Sequence, residues 1–510
     1  MSADHSSSEG RRAGRRLSLR HPRLVSCIAM ILLLGIWGTW AGPGWDPQPM
    51  RTLLVPESQS TRIEGANPTA SLGTYEVEVR QVEVPMRDGT TVHATLKTPV
   101  GLDGLAPAMV FVHGTGTDSH TSFEDETDLI ASTGVATLVT DKRTNNYTTT
   151  HRDYLELAKD YEDAFDFLVG IDGVDPKLTG LYTVSEGCYV GPIVAAGDSR
   201  VAFVVFVSAP VLPIRTQGAL AADTYLRNLG APKQITNLIA KLVGQRFDDG
   251  SFEYIDFDVS EYQQEMTMPV LMVYGTNDMS MPVIQGPLLL RDDLRQASNS
   301  AFTVRYYEGA DHGLKIGDDL LRQPMQDVSD WVNGMPSTAH AEPHIAGANP
   351  SQPYMAETVA SAPAFASGMS LLVTLAAGAL LVCAAALASL LGRLRIRGRR
   401  LVDLRGCAPS LNAASLGIVA GCCAFTAYII LLAYYATSYQ RNSFVVQSGW
   451  LACQFVALLA AWLFVRAQFA LWRTPGRFSW PARLTILSAT TGQVVLFLSL
   501  GYWGLYPSLR

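Results

Sequence analysis

Five apolar runs, each about the 20 residues that cross a hydrocarbon core, constrain this chain more than any other feature. They fall at 24–41 and at about 367–392, 410–437, 448–472 and 484–506, with a long polar stretch between the first and the second. A chain laid out this way divides between membrane and water. Its charge divides at the same places: residues 1–41 carry +4, residues 42–365 carry −22 and residues 366–510 carry +11, within a formal net charge of −7. A segment as acidic as 42–365 repels phosphate, which excludes general nucleic-acid binding.

The Arg distribution predicts a topology. Arg11, Arg12, Arg15, Arg16, Arg20 and Arg23 precede the first run, as they do in a signal peptide or an uncleaved signal anchor. The run is long for a cleaved peptide, and an anchor is the expectation. Arg393, Arg395, Arg397, Arg399, Arg400 and Arg405 follow the second run, and Arg473, Arg477 and Arg483 follow the fourth. The loop between the third and fourth runs has only Arg441. Positive loops stay on the cytoplasmic side. Counting spans from a cytoplasmic N-terminus places both Arg-rich loops inside and the acidic segment outside. The expected organisation is therefore a cytoplasmic basic segment at 1–23, an anchor at 24–41 and an extracytoplasmic domain at 42–335. A Pro- and Ala-rich linker at 336–365 and a four-helix transmembrane domain at 366–510 follow. Arg outnumbers Lys 32 to 7 and Ala is abundant, the composition of a GC-rich bacterial genome, so the domain would face the cell envelope.

Of seven Cys only Cys188 lies in the acidic segment, so no disulfide framework holds it, and no Cys/His spacing predicts zinc. Period-two alternation at 74–84 and 91–97, joined through Asp88–Gly89, predicts a hairpin. Short apolar runs at 108–112, 135–140, 178–184, 202–207, 270–274 and 303–307 predict buried strands. Helical stretches separate several of them, notably 152–169, where Leu155, Ala158, Tyr161, Ala164, Phe165 and Leu168 fall at helical spacing. Strands alternating with helices make a mostly parallel sheet with helices on both faces. A helix-rich insertion at 213–264 interrupts the alternation and is expected to cap the strand ends and shape a substrate pocket.

Three loops at the C-terminal ends of predicted strands carry chemistry, which is where open α/β sheets build their sites. Thr183-Val184-Ser185-Glu186-Gly187 leads from a strand into the apolar helix at 189–196, the tight turn that exposes a nucleophilic hydroxyl. Gly275-Thr276-Asn277-Asp278 and Gly309-Ala310-Asp311-His312-Gly313 follow two later strands. Taken singly, Ser185 reads equally as a helix N-cap, Asp278 as a turn residue and His312 as a loop histidine. Their order, Ser then Asp then His, is a recurrent order of a catalytic triad. Asp311 is a poorer orienting acid than Asp278 because it adjoins His312 in sequence. His113-Gly114-Thr115-Gly116 follows an earlier strand, where glycines let backbone N–H groups approach an oxyanion; His113 itself reads as structural.

Residues from about 74 to 333 resemble the α/β-hydrolases of the dienelactone-hydrolase, prolyl-oligopeptidase-like and acyl-CoA-thioesterase-like group. The stretches that carry the resemblance are HGTG at 113–116, DKR at 141–143, VDPKLTGLYTVSEG at 174–187, VSAP at 207–210, YGTND at 274–278 and GADHG at 309–313. Members often have Gly where Thr183, Cys188 and Thr144 stand here. The four-span tail resembles no recognised family. The resemblance implies an α/β-hydrolase fold; the insertion adds a helical cap to it, and the apolar runs add an all-α transmembrane domain.

Residues and resemblance imply one mechanism: Ser185 as nucleophile, His312 as base, Asp278 as the group that orients it, and the backbone N–H groups of Thr115 and Glu186 as oxyanion donors, with no metal or organic cofactor. The Glu186 side chain is expected to face either the pocket or solvent. The expected function is a membrane-anchored serine hydrolase cleaving a small-molecule or lipid acyl ester. The same triad also serves peptidases and acyltransferases, and the three departures from Gly keep a catalytically impaired sensor or binding module open. A transporter-like role for the tail is disfavoured by the scarcity of ionisable residues within its spans.

Overall fold

The computed structural model describes residues 21–507 except 117–118, 146, 393–394, 397–398 and 438–439. The basic stretch 1–20, Arg393 and Arg397 lie outside the described residues. The chain forms two units, one of Gly42–Leu371 with Leu432–Gln447, the other of Met1–Ala41 with Leu372–Leu431 and Ser448–Arg510.

In chain order, α1 (Pro22–Trp40) is followed by β1 (Glu76–Pro85), β2 (Thr91–Val100), β3 (Ala106–Val112), α2 (Glu124–Ala131), β4 (Ala136–Thr140), α3 (Tyr154–Val169), β5 (Val174–Val184), α4 (Gly187–Gly197) and β6 (Val204–Val207). The insertion holds α5 (Ile214–Asn228) and three short helices, α6 (Lys233–Thr236), α7 (Leu238–Val243) and α8 (Ser260–Gln263). Then come β7 (Val270–Gly275), α9 (Gln285–Gln296), β8 (Phe302–Tyr307), the short pair β9 (Lys315–Ile316) and β10 (Asp319–Leu320), α10 (Arg322–Asn333) and β11 (Ile345–Gly347). The tail forms α11 (Gly368–Leu391), α12 (Ala408–Thr437), α13 (Ser443–Arg473) and α14 (Trp480–Tyr502).

One nine-stranded sheet runs β1-β2-β4-β3-β5-β6-β7-β8-β11. β2 is antiparallel to both its neighbours, and from β4 to β11 every pairing is parallel. Alternation along the strands feeds two cores. On β3, Val110 and Val112 face the layer of α3, α4 and α9, packing with Phe165, Val194 and Leu290. Met109 and Phe111 face the layer of α2 and α10, with Ile130 and Trp331. With both faces covered, the central strands read in sequence as unbroken apolar runs. Asp153 starts α3 by accepting from the backbone N–H groups of Leu155 and Glu156, which satisfies two of the helix's unpaired donors.

The segment expected as a linker differs from that reading. Residues 345–347 pair in parallel with β8 and extend the sheet, covering an edge that would otherwise stand open. Arg305, buried in β8, donates to the carbonyls of Thr61 and Pro343 at 2.8 and 2.9 Å and so ties both flanking segments to that strand.

The other unit holds α1, α14 and most of α11, α12 and α13, the five described helices long and apolar enough to cross a membrane. A Cβ at Gly38 would lie 2.0 Å from the Gly501 carbonyl oxygen, so this pair of glycines lets α1 and α14 touch along their backbones. Beside them Trp37 Nε1 donates to the Leu498 carbonyl at 2.9 Å.

Candidate active site

Ser185 occupies the turn between β5 and α4 with φ at +53°, the left-handed region that a non-glycine residue enters only under constraint. Its N–H donates to Val207 O at 2.9 Å and its carbonyl accepts from Cys188 N at 3.0 Å. Two glycines make room for the turn. A Cβ at Gly187 would lie 2.5 Å from Val112 O, and one at Gly114 would lie 3.1 Å from Ser185 Cβ.

The departures from Gly around this turn have structural answers. The Thr183 methyl fills space left by Gly191 on α4, where an added Cβ would come within 2.4 Å of Thr183 Cγ2. The Thr183 hydroxyl donates to Val205 O at 2.9 Å. Cys188 is buried against the same strand, and burial pushes its thiol up to about 12, which keeps it protonated, with Sγ 3.5 and 3.7 Å from the Thr183 and Val207 carbonyl oxygens. Thr144 is exposed and accommodated without packing.

His312 meets Ser185 across 127 residues of chain and Asp278 across 34: His312 Nε2 lies 2.9 Å from Ser185 Oγ, and His312 Nδ1 lies 2.8 Å from Asp278 Oδ2. Asp278 Oδ1 accepts from Ser280 N at 3.0 Å and Ser280 Oγ at 2.7 Å. Burial alone would raise the Asp278 carboxyl, but His312 and Ser280 outweigh it and hold the group below the usual carboxylate value. Burial alone would lower His312; the Asp278 carboxylate outweighs it and holds the imidazole above its ordinary value. Asp311 faces its own loop, with Oδ1 accepting from Gly313 N and Lys315 N at 2.9 Å each. His113 Nε2 lies 2.6 Å from Thr140 O, a structural tie across two strand ends.

Two serines escaped the sequence reading. Ser208 Oγ donates to His312 O at 2.8 Å, and Ser280 Oγ lies 3.4 Å from His312 Nδ1 as well as against Asp278. Ser208 stood within the recognised VSAP stretch, but nothing in its neighbours reports a contact 104 residues away.

The Glu186 side chain corrects the expectation that it faces the pocket or solvent. It is 6% exposed and accepts from five donors. Thr115 Oγ1 (2.9 Å), Lys142 Nζ (3.3 Å) and the Tyr147 hydroxyl meet Oε2; the Tyr154 hydroxyl (2.8 Å) and the Arg152 guanidinium meet Oε1. The Arg152 guanidinium lies over the rings of Tyr147 and Tyr254, 4.8 Å from each centroid. Burial would raise the Glu186 carboxyl; Lys142 and Arg152 outweigh it and keep the group below its usual value, hence ionised. The backbone N–H groups of Thr115 and Glu186 have no acceptor among the described residues.

A cavity of about 480 Å³ opens at Ser185 and His312, the size of a small-ligand site. Tyr182, Val207, Leu314, Leu320 and Met325 give it an apolar wall, and Glu124, Asp125 and Glu126 with Lys315 line another side. No residue of the insertion lines it, contrary to the pocket-shaping expectation. Instead α5 packs beside the Asp278 loop: the Gln217 amide donates to Ser280 O, and Asn228 Nδ2 lies 2.8 Å from Met279 Sδ. The insertion walls a separate apolar cavity of about 500 Å³ with Ile214, Leu242, Phe247, Phe252 and Tyr254. Among the described residues no group of three or more His, Cys, Asp and Glu is placed to hold a metal.

A mostly parallel sheet in this strand order, with Ser after the fifth strand, Asp after the seventh and His after the eighth, is the α/β-hydrolase fold. No family model and no curated protein sequence matches the chain. Among solved structures, DcsB in complex with its substrate analogue is 18% identical and aligns over 50% of this chain and 98% of its own, at a TM-score of 0.37. The dienelactone hydrolase of Anabaena variabilis ATCC 29413 is 16% identical over 50% of this chain and 97% of its own, at 0.34. Dipeptidyl peptidase 4 of Porphyromonas gingivalis is 14% identical over 51% of this chain and 35% of its own, at 0.36.

Proposed function

We propose that this chain is a membrane-anchored serine hydrolase that cleaves carboxylic acyl esters. The observation that carries the proposal is the line from Asp278 Oδ2 through His312 to Ser185 Oγ, with steps of 2.8 and 2.9 Å, ending on a serine held at positive φ beside a cavity. Ser185 Oγ attacks the ester carbonyl carbon while His312 Nε2 takes its proton. The carbonyl oxygen becomes an oxyanion, met by the N–H groups of Thr115 and Glu186. The C–O bond to the alcohol breaks, His312 gives its proton to that oxygen, and the acyl group stays on Ser185. Water then attacks the acyl carbon as His312 takes its proton, and the bond from that carbon to Ser185 Oγ breaks as His312 returns the proton to Oγ, releasing the acid. Asp278 keeps the Nδ1 proton in place and stabilises the imidazolium. The apolar wall of the cavity suits an acyl group, and the five apolar helices supply the anchor.

Purified full-length protein in detergent micelles, given p-nitrophenyl acyl esters of graded chain length and peptide p-nitroanilides, tests the proposal. Turnover of esters that Ser185→Ala abolishes supports it. Turnover confined to anilides would make the chain a peptidase, and turnover of neither by folded protein would reject hydrolysis of both classes.

A further inference from the structure

A trans peptide group carries its C=O and its N–H on opposite sides of one rigid plane, so whatever grips the carbonyl also aims the N–H. The peptide between Gly114 and Thr115 is gripped in this way. Lys142 Nζ donates to the Gly114 carbonyl at 3.2 Å, and the N–H at the other end of the same plane is that of Thr115, one of the two oxyanion donors proposed above. Lys142 is itself fixed. Its side chain is 3% exposed, its ammonium contacts Glu186 Oε2 at 3.3 Å, and it lies 3.8 Å from the centroid of the Tyr147 ring.

Glu186 closes the arrangement. Its Oε2 also accepts from Thr115 Oγ1 at 2.9 Å, so Thr115 is held by its side chain and by the carbonyl that precedes it. The backbone N–H of Glu186 is the second proposed donor. One carboxylate therefore ties together both residues that would meet the oxyanion. Glu186 is paired with two cations, the buried Lys142 and the half-buried Arg152, so this cluster of three carries one net positive charge. A fixed charge there favours negative charge developing on the substrate oxygen, and needs no reorganisation as the reaction proceeds.

We infer that Lys142 is a positioning residue of the oxyanion site: it fixes the Gly114–Thr115 peptide plane and polarises it, so that the Thr115 N–H is aimed at the oxyanion and donates more strongly. The inference rests on the reading of Ser185 as nucleophile. A cation on a peptide oxygen draws electron density toward it and strengthens the hydrogen bond at the nitrogen end, as in any chain of mutually polarising hydrogen bonds. Lys142 touches no substrate in this arrangement. Its effect belongs to the transition state, because the ground-state carbonyl oxygen carries little charge for the N–H to meet.

The test compares wild type, Lys142→Met and Lys142→Arg, all as full-length protein in micelles with a p-nitrophenyl ester. Loss of an oxyanion donor costs about 10²–10³ in kcat, and an aimed but indirect effect should cost less, on the order of 10- to 100-fold. We expect that loss for Lys142→Met, with KM within about twofold because substrate binding is untouched. Affinity for a boronic acid, whose tetrahedral adduct is anionic, should fall with kcat, while the acid limb of the pH profile set by His312 stays where it is. Lys142→Arg, which keeps the charge, should recover part of kcat. If Lys142→Met does not fold, Lys142→Gln keeps a donor to the carbonyl without the charge and should show a smaller loss of the same kind. Unchanged kcat in these variants overturns the inference, as does a parallel change in KM, boronate affinity and melting temperature. A folded wild type without ester turnover would overturn the reading of the site as an esterase as well.

Discussion

In the proposed mechanism His312 has to be neutral to take the Ser185 proton, and the Asp278 carboxylate 2.8 Å away favours its charged form. Its affinity for a proton is therefore raised above that of an ordinary imidazole, about 6.5. Activity should fall as pH drops through that raised value, so the acid limb of kcat/KM has its midpoint above 6.5. Asp278→Asn removes the charge that raises it. The midpoint should then move to lower pH while the plateau falls on the order of 10⁴-fold, because the imidazole loses its required tautomer. A pH–rate profile of the two proteins decides it, and a midpoint unmoved by the substitution would contradict the assignment of Asp278. At this scale the sequence was readable where local turn chemistry marks a position, and the structure brings three such positions into hydrogen-bonding contact. Ser185, Asp278 and His312 each follow a predicted strand in a Gly-containing loop. Ser208, Ser280 and the Lys142–Glu186 contact were not readable, because their meaning lies in partners 104, 32 and 44 residues away.

The turn between β5 and α4 departs from the usual Gly at Thr183, and Gly191 one turn into the helix has taken over the task of leaving space. The two positions should therefore be coupled. Gly191→Ala alone places a methyl 2.4 Å from Thr183 Cγ2, and Thr183 is β-branched, fully buried and unable to swing away. The expected cost is about 1–3 kcal/mol of overpacking. Thr183→Ser removes only the methyl and keeps the hydroxyl that donates to Val205 O, so the double variant should regain most of the loss. Thermal melts of the four proteins measure the coupling, and additive changes would show that the two side chains do not compete for one space. Most sheet elements were legible because strands covered on both faces announce themselves as apolar runs. β11 was not: Ile345–Gly347 has no strand signal of its own, lies in a Pro- and Ala-rich stretch, and becomes a strand only because the edge of β8 is there to pair with. The insertion was legible as helical, but its placement beside the Asp278 loop rather than around the cavity depends on tertiary contacts such as Gln217 to Ser280.

At the scale of the whole molecule, an acidic segment of net charge −22 lies between an N-terminal apolar helix and four tail helices with Arg-rich connections. The expected topology puts the acidic domain and the loop around Arg441 outside, and the connections around Arg405 and Arg477 inside. Enzymatic reporters that work only on one side of the membrane, fused after residues 441 and 477, should give opposite signals; equal signals at both points would contradict the topology. The central claim is that Ser185 is an activated nucleophile. Its most direct test is labelling of full-length protein in micelles with a fluorophosphonate, which bonds covalently to a serine oxygen only when a base takes the proton and oxyanion donors receive the charge. Wild type should label rapidly, and Ser185→Ala and His312→Ala not at all, with all three proteins folded. A folded wild type that stays unlabelled, or labelling that survives loss of Ser185, would contradict it.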